Sequence, residues 1–333
     1  MASDSSVAAP TRVSRRALWG SVVVALIVTA GGVGLLLTRR ERREAAAAGM
    51  IAGHVALLNN RLSEARSRLL DVDPSLLPAR ALEQYVNDLA LTHFRLGDWK
   101  SQLELADRAR NDPSIPVRRL APYILVDGLA MAGSDRALVH VVDSITTVSN
   151  PTAGSTQRLL ARAMERAALF GFDSAARVLA LAFEQVSEKQ RDSTPVAIVV
   201  AMHLTGRDAE AVHIADSLDA RATSAPPAVA GVSDMRSGAQ TLRAIAHLWA
   251  GDSTMARSVL AARRAEAARQ DLRGTAHLQA ASIAAQLGLR AEAIALLREV
   301  VPNRLTFQGG WPESVLLLPI RREPGFRELI APR

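Results

Sequence analysis

The stretch LALTHFRLGDWKSQLELADRARNDP, residues 89–113, decides the fold. Its apolar helical pattern stops at Gly97, and glycine readily takes the left-handed backbone conformation in which many helices end. Asp98 follows at once, where its side chain can accept the free amide hydrogens at the start of a second helix. That second amphipathic segment runs to Arg110 and stops before Pro113. The stretch therefore predicts two antiparallel helices joined by a tight turn.

The same design recurs along nearly the whole chain. Helical patterns pause at a glycine or asparagine every 35 to 45 residues, and periods between about 20 and 50 residues indicate stacked repeats. An alanine lies five positions after most pauses, where two helix backbones must approach closely, and an apolar residue follows on the same face. The pauses are Asn60, Gly97, Gly133, Gly171, Gly206, Gly251 and Gly288; the predicted caps are Asp98, Ser134, Asp173, Asp208 and Asp252; the alanines are Ala65, Ala176, Ala211, Ala256 and Ala293; and their apolar partners are Leu69, Ala180, Ala215, Leu260 and Leu297.

This residue pattern resembles the tetratricopeptide repeat (TPR) family. Gln102 and Leu138 depart from it, because the family has alanine at the equivalent position. The resemblance implies an all-α fold, in which an α-solenoid of about seven TPR-like helix pairs occupies residues 45–302. The residues that match are Leu89, Ala90, Gly97, Asp98, Trp99, Ala109 and Pro113 in one repeat, and Gly288, Ala293, Leu297 and Pro302 in the last.

The repeats divide the chain into predicted segments. One block of repeats covers residues 45–222, a loop or hinge rich in Pro and Gly covers 223–238, and a second block covers 239–302. Residues 303–333 are predicted to cap the last apolar face, as terminal elements of repeat arrays do. This tail is similar to the end of the TPR regions of bacterial membrane-spanning serine/threonine kinases, but the kinase itself is missing from the sequence.

An uncharged segment, Ala17–Thr38, follows a polar tail of 16 residues. As a helix it would be about 33 Å long, enough to cross a bilayer. It continues directly into an arginine-rich run, which favours an uncleaved signal anchor over a cleaved signal peptide. Ala30 and Gly34 lie four residues apart, a spacing that allows close helix contact and a homodimer through this segment.

The orientation of this segment is nearly balanced, because arginines flank it on both sides. We favour a single-pass protein of the bacterial inner membrane, with the amino terminus inside and the repeat domain periplasmic or otherwise outside the cytoplasm. A cytoplasmic repeat domain is the alternative.

Charge and composition argue against several functional classes. The net charge is +7, but residues 1–44 carry seven arginines against three acidic residues, which leaves only +3 for the other 289 residues. Aromatic residues make up 4% of the chain, so few side chains can stack on bases and nucleic-acid binding is not expected. Cysteine is absent, and no pair of the seven histidines has metal-ligand spacing. We therefore expect no metal and no cofactor.

No arrangement of residues indicates catalysis, since the chain has no Gly-x-Ser-x-Gly motif. Mixed-charge runs are typical of solvated helix faces, and we interpret those of this chain in that way. They include Arg162, Glu165 and Arg166, and also Arg263, Arg264, Glu266 and Arg269. The chain is therefore predicted not to be an enzyme.

A stacked array offers a concave surface lined by the first helix of each pair, and a peptide or helix of another protein can bind there. The predicted function is therefore a membrane-anchored scaffold or assembly subunit that binds a protein partner. The alternative is a sensory or regulatory module that works with a separate kinase or transcription regulator. By analogy with the family, the partner-binding groove would contain Asn87, Leu91, Phe94, Arg95, Arg158, Glu165, Thr241, Ile245, Trp249, Leu278 and Gln286. The chain's own tail is another candidate occupant.

Overall fold

A computed structural model describes residues 38–148, 153–187, 195–224, 232–270, 274–301 and 314–331. Within these ranges the chain is helical, with no β-strand. The prediction of an all-α fold is therefore confirmed. Adjacent helices pack against one another in chain order, as expected for an α-solenoid.

The described helices form seven successive pairs, each joined by a turn of a few residues. They are followed by a 3-10 segment, Val315–Ile320, and by a last helix, α15 (Pro324–Ile330). The pairs are α1 (38–58) with α2 (Leu62–Leu70), α3 (Ala79–Leu96) with α4 (Trp99–Arg110), α5 (Ile115–Met131) with α6 (Asp135–Val148), α7 (Ala153–Leu169) with α8 (Asp173–Ser187), α9 (Pro195–Leu204) with α10 (Asp208–Ser224), α11 (Val232–Trp249) with α12 (Ser253–Gln270), and α13 (Thr275–Gln286) with α14 (Arg290–Val300).

The turns lie at the predicted pauses. All seven pause residues have a positive backbone φ, between 58° and 96°. Six of them are glycines, for which this left-handed conformation carries little penalty, and the seventh is Asn60. The positions of the turns are therefore confirmed.

The predicted contact positions in the second helices are also buried. The five alanines are at most 1% exposed, and their five apolar partners are at most 5% exposed. Gln102 takes the alanine position of α4 and is fully buried, with its Nε2 3.4 Å from the carbonyl oxygen of Ile124. Room for this larger side chain comes from Gly128 on α5, where an added Cβ would lie 2.7 Å from Leu103 and 3.3 Å from Gln102. In this pair of helices the small residue of the contact therefore lies on α5, and the large one lies on α4.

We expect replacement of Ala211 or Ala256 by leucine to lower the free energy of unfolding by about 1–3 kcal/mol, because neither site has room for three more carbons. Urea unfolding followed by circular dichroism would measure the change. Ala261→Leu, at an exposed position of the same helix as Ala256, is the matched control and should stay within about 0.5 kcal/mol of the parent. Neutral results at both buried positions would show that the assigned register is wrong.

The predicted helix caps are confirmed at two turns and differ at two others. Asp98 accepts a hydrogen bond from the backbone amide of Ser101 at 3.2 Å, and Asp252 accepts one from the backbone amide of Thr254 at 2.9 Å. Asp173 and Asp208, by contrast, are the first residues of their helices. At this position their negative charge still interacts favourably with the positive, amino-terminal end of the helix dipole.

The predicted hinge at 223–238 is helical at both ends. Helix α10 continues to Ser224 and α11 begins at Val232, while residues 225–231 lie outside the description. Arg236 of α11 donates hydrogen bonds to the carbonyl oxygens of Ala222 and Thr223, at 2.9 and 3.0 Å. These carbonyls belong to the last turn of α10, which has no further helical partners for them. The two helices are thus tied together across the connection.

The carboxyl-terminal segment returns to the first helix pair. The side-chain amide of Asn60 donates to the carbonyl oxygens of Ile330 and Ala331, at 3.1 and 2.7 Å, across 270 and 271 residues of sequence. Asn60 is also the turn residue between α1 and α2, and it is 1% exposed. One buried side chain therefore closes a turn and joins the two ends of the described chain.

This contact predicts an order of stability among variants of Asn60. Asn60→Gly keeps a residue suited to positive φ but loses both hydrogen bonds, which we expect to cost about 1–3 kcal/mol. Asn60→Ala should cost roughly 1–2 kcal/mol more, because alanine resists the left-handed conformation. Denaturant unfolding would measure both values. A glycine variant as stable as the parent would mean that the contact between the two ends contributes nothing.

No helix among the described residues is long and apolar enough to cross a membrane. The predicted membrane segment, Ala17–Thr38, lies outside these residues apart from Thr38. Both the membrane span and a dimer through it stay predictions.

Candidate functional site: the inner chamber

The first helices of the second to seventh pairs surround one chamber of about 680 Å³. The carboxyl-terminal segment completes its wall with residues 314–316, so the array's own tail occupies part of the concave surface. The lining mixes nine apolar side chains with eight polar ones, three of which are charged. The lining residues are Asn87, Ala90 and Leu91 of α3; Leu120, Tyr123 and Ile124 of α5; Arg162, Glu165 and Arg166 of α7; Val196 of α9; Gly238, Thr241 and Leu242 of α11; Leu278, Gln279 and Ser282 of α13; and Ser314, Val315 and Leu316.

Five of the eleven predicted groove residues line this chamber: Asn87, Leu91, Glu165, Thr241 and Leu278. Arg158 lines a second cavity of about 440 Å³ between α5, α7 and α9. This second cavity adjoins the chamber, because both are lined by the same face of α7. The structure thus brings six predicted residues to one connected space. Their role in partner binding stays a prediction.

The other five predicted residues pack within the array. Ile245 is fully buried in the core, and Arg95 is half-buried. Phe94 is buried, with the guanidinium of Arg166 over its ring at 4.2 Å. The remaining two predicted residues, Trp249 and Gln286, hold the tail.

Trp249 and Gln286 form a chain of hydrogen bonds to the carboxyl-terminal segment. The indole Nε1 of Trp249 donates to Oε1 of Gln286 at 2.9 Å, and Nε2 of Gln286 donates to the carbonyl oxygen of Leu316 at 2.9 Å. The ring of Trp249 also stacks on the ring of His203, with centroids 3.9 Å apart. It packs against three separate clusters of buried apolar side chains. These two side chains therefore fix the segment that forms one wall of the chamber.

A buried ion cluster lies beside the chamber where α5 meets α7. Asp127 of α5 is 2% exposed and accepts hydrogen bonds from Nε of Arg162 at 2.9 Å and from Nε of Arg166 at 2.8 Å. Nη2 of Arg162 donates a hydrogen bond to the other carboxylate oxygen of Asp127. Burial alone would raise the pKa of Asp127, but the two arginines outweigh that effect and hold the pKa below its usual range. The carboxylate is therefore ionised at neutral pH.

Glu165 is the one carboxylate among the residues described as lining the chamber. No hydrogen bond or ion pair of its side chain is found among the described residues. Burial raises the pKa of Glu165, and the charges of Arg166 and Arg162 only partly oppose this effect. A half-buried carboxylate without a donor is a group that a bound cation or N–H donor would stabilise.

The interpretation of Arg162, Glu165 and Arg166 as a solvated face is wrong at Arg166. These residues point into the chamber, and Arg166 is only 8% exposed. The second mixed-charge run, which begins at Arg263, was also interpreted as a solvated face. Arg263 differs from this, because it is buried and hydrogen-bonded to Gln240 and Glu266. Burial of long charged side chains depends on a partner from another helix, and the sequence offered one signal for it: arginines at i and i+4 on the first helix of a pair.

Histidines lie across three of the turns, and the equivalent positions of His93 and His247, each four residues before a turn glycine, are visible in the sequence. His203 pairs with Asp208 at 2.8 Å, and more distant contacts join His93 to Asp98 at 3.7 Å and His247 to Asp252 at 3.9 Å. In each case the aspartate lies five residues after the histidine, across the turn. This common spacing was present in the sequence, and it indicates a structural role in the turn.

Comparisons with protein-family models, with curated proteins and with solved structures found no match for this chain. The resemblance to TPR proteins therefore stays a prediction from the residue pattern.

Proposed function

We propose that this chain is a non-catalytic binding protein of the TPR-like type, held at the membrane through residues 17–38, whose inner chamber binds a segment of a protein partner. The chamber is the observation that supports this proposal, since six helices from different pairs converge on it. Its wall combines apolar side chains with polar groups, among them the half-buried Glu165, for which no hydrogen bond is found among the described residues. A polar group without a hydrogen-bond partner gains more binding free energy from a ligand than a group that already has one.

The chamber is partly open to solvent, because Asn87 and Val196 in its wall are exposed. A partner segment can therefore extend beyond the chamber.

A sensory role is the second candidate, and the volume of the chamber favours it. Sites for small molecules are commonly about 300–1,000 Å³ and are lined by apolar side chains with a few polar groups. The inner chamber falls within this range. In this case the repeat domain would bind a small ligand and pass the signal to a separate kinase or transcription regulator.

Site-specific photo-crosslinking tests the role of the chamber. A photoreactive residue would replace Leu91 or Leu278 in the full chain, in its native membranes, and Leu181 on the outer surface would serve as the control. A protein adduct from both inner positions, absent at Leu181, supports the scaffold. Protein adducts at Leu181 alone would contradict it, and an adduct of small mass at the inner positions would favour the sensor.

A further inference from the structure

The charges that meet at the chamber cancel one another. Arg162 and Arg166 contribute two positive charges, and Asp127 and Glu165 contribute two negative ones. These four groups lie together because Arg162, Glu165 and Arg166 share one face of α7, at positions i, i+3 and i+4. No other charged residue lines the chamber itself, and Arg158 lies in the wall of the adjoining second cavity. A ligand with a net charge would therefore leave one charge uncompensated beside partly buried groups, which is unfavourable.

The same four groups are nevertheless incompletely bonded. The hydrogen bonds described for Arg162 use its Nε and Nη2, and the one described for Arg166 uses its Nε, all of them with Asp127 as acceptor. Among the described residues, no acceptor is found for Nη1 of Arg162 or for the two terminal nitrogens of Arg166. No donor is found among them for either carboxylate oxygen of Glu165. The site therefore offers a negative and a positive partner within one turn of helix α7.

A second free acceptor lies in the part of the wall formed by α13. Nε2 of Gln279 donates to the hydroxyl of Ser237 at 3.1 Å, while Oε1 of Gln279 is buried without a hydrogen-bond partner among the described residues. The wall also contains apolar side chains, among them those of Leu91, Leu278 and Leu316. The chamber therefore suits a molecule with a polar, doubly charged end and an apolar body.

We propose that the inner chamber binds an apolar α-amino acid in its zwitterionic form. Its carboxylate accepts hydrogen bonds from the terminal nitrogens of Arg162 and Arg166, its ammonium group donates to Glu165, and its side chain contacts the apolar wall. The zwitterion adds no net charge to the neutral cluster and satisfies both kinds of free group. This inference rests on the second candidate function, the sensory role of the chamber, and names the class of its small ligand.

Isothermal titration calorimetry on the full chain in mild detergent tests the inference with three matched probes. L-Phenylalanine has both charges, N-acetyl-L-phenylalanine lacks the ammonium group, and L-phenylalaninamide lacks the carboxylate. We expect L-phenylalanine to bind and each blocked analogue to bind at least about tenfold more weakly, the effect of losing one charged contact. Equal affinity for L-phenylalanine and either analogue, or no heat with L-phenylalanine, would overturn the inference.

Glu165→Gln is the variant that tests the ammonium contact. It keeps the shape of the side chain but removes its negative charge, so the affinity for L-phenylalanine should fall about tenfold and its advantage over the N-acetyl analogue should disappear. Glu83→Gln, at an exposed position of α3, should bind like the parent protein. An unchanged circular dichroism spectrum would show that the Glu165→Gln protein is folded.

The outcome is separable from that of the proposed function. If a protein partner is crosslinked from Leu91 and Leu278 but no amino acid binds, the chamber binds its partner and the inferred ligand class is wrong. If neither experiment detects a ligand, the binding role of the chamber is wrong as well.

Discussion

Replacement of Asp127 by alanine is expected to lower the free energy of unfolding by about 3–5 kcal/mol. The loss is large because Asp127 is the buried carboxylate to which both Arg162 and Arg166 donate hydrogen bonds. Removing it leaves two guanidinium groups in a mostly apolar setting, one of them on a side chain that is 8% exposed. Chemical denaturation at neutral pH would measure the change. Asp107→Ala, at an exposed position of α4, is the matched control and should change stability by less than about 0.5 kcal/mol.

The effect of Asp127 should also depend on pH. Because its folded-state pKa lies below the unfolded value, its stabilising contribution is fully present above the unfolded pKa of about 3.9 and is lost as pH falls through the folded pKa. The stability difference between the parent protein and the alanine variant should therefore narrow below about pH 4. A difference that stays constant from neutral pH into strong acid would contradict the assigned ion cluster.

Replacement of Phe326 by alanine should release the carboxyl-terminal segment. Phe326 is fully buried in the cluster formed by α11 to α14 and the 3-10 segment, and phenylalanine-to-alanine changes in such cores cost about 3–5 kcal/mol. We expect this loss of free energy to weaken mainly the docking of residues 314–331, because the helix pairs keep their own contacts. Hydrogen exchange and limited proteolysis would detect the released segment.

Arg327→Ala provides the control for this change, because Arg327 lies next to Phe326 on α15 but is exposed. It should leave the protection of residues 314–331 nearly unchanged. If Phe326→Ala also leaves that protection unchanged, the segment is not held by its buried aromatic side chain, and its part in forming the chamber wall would need another explanation.

Local chemistry explains why the turns were predictable. A left-handed turn residue, a cap and a small contact residue are each set by neighbours a few positions away, so Gly97 and Ala211 could be assigned from the sequence. Gln102 could not, because the space it occupies is provided by Gly128 on another helix. Local sequence patterns predict the helix pairs. A large residue that is accommodated by a small residue of another pair, as Gln102 is by Gly128, is recognised only in the structure.

The chamber was predictable only in part, for a related reason. The analogy with the TPR family assigned Leu91, Thr241 and Leu278 to the groove, and all three line the inner chamber in the structure. Helical periodicity does not show how far the array curves, and curvature decides whether a charged face meets water or another helix. Arg166 is buried because α3 and α5 lie against its face of α7.

The hydrogen bonds of Asn60 change how unfolding can begin. In an open array the terminal repeats have one neighbour each, so opening starts at the ends and spreads inward. Here the last residues of the described chain are bonded to the turn of the first pair. Each end therefore protects the other from fraying, and the array loses its outermost unit only after both contacts with Asn60 are broken.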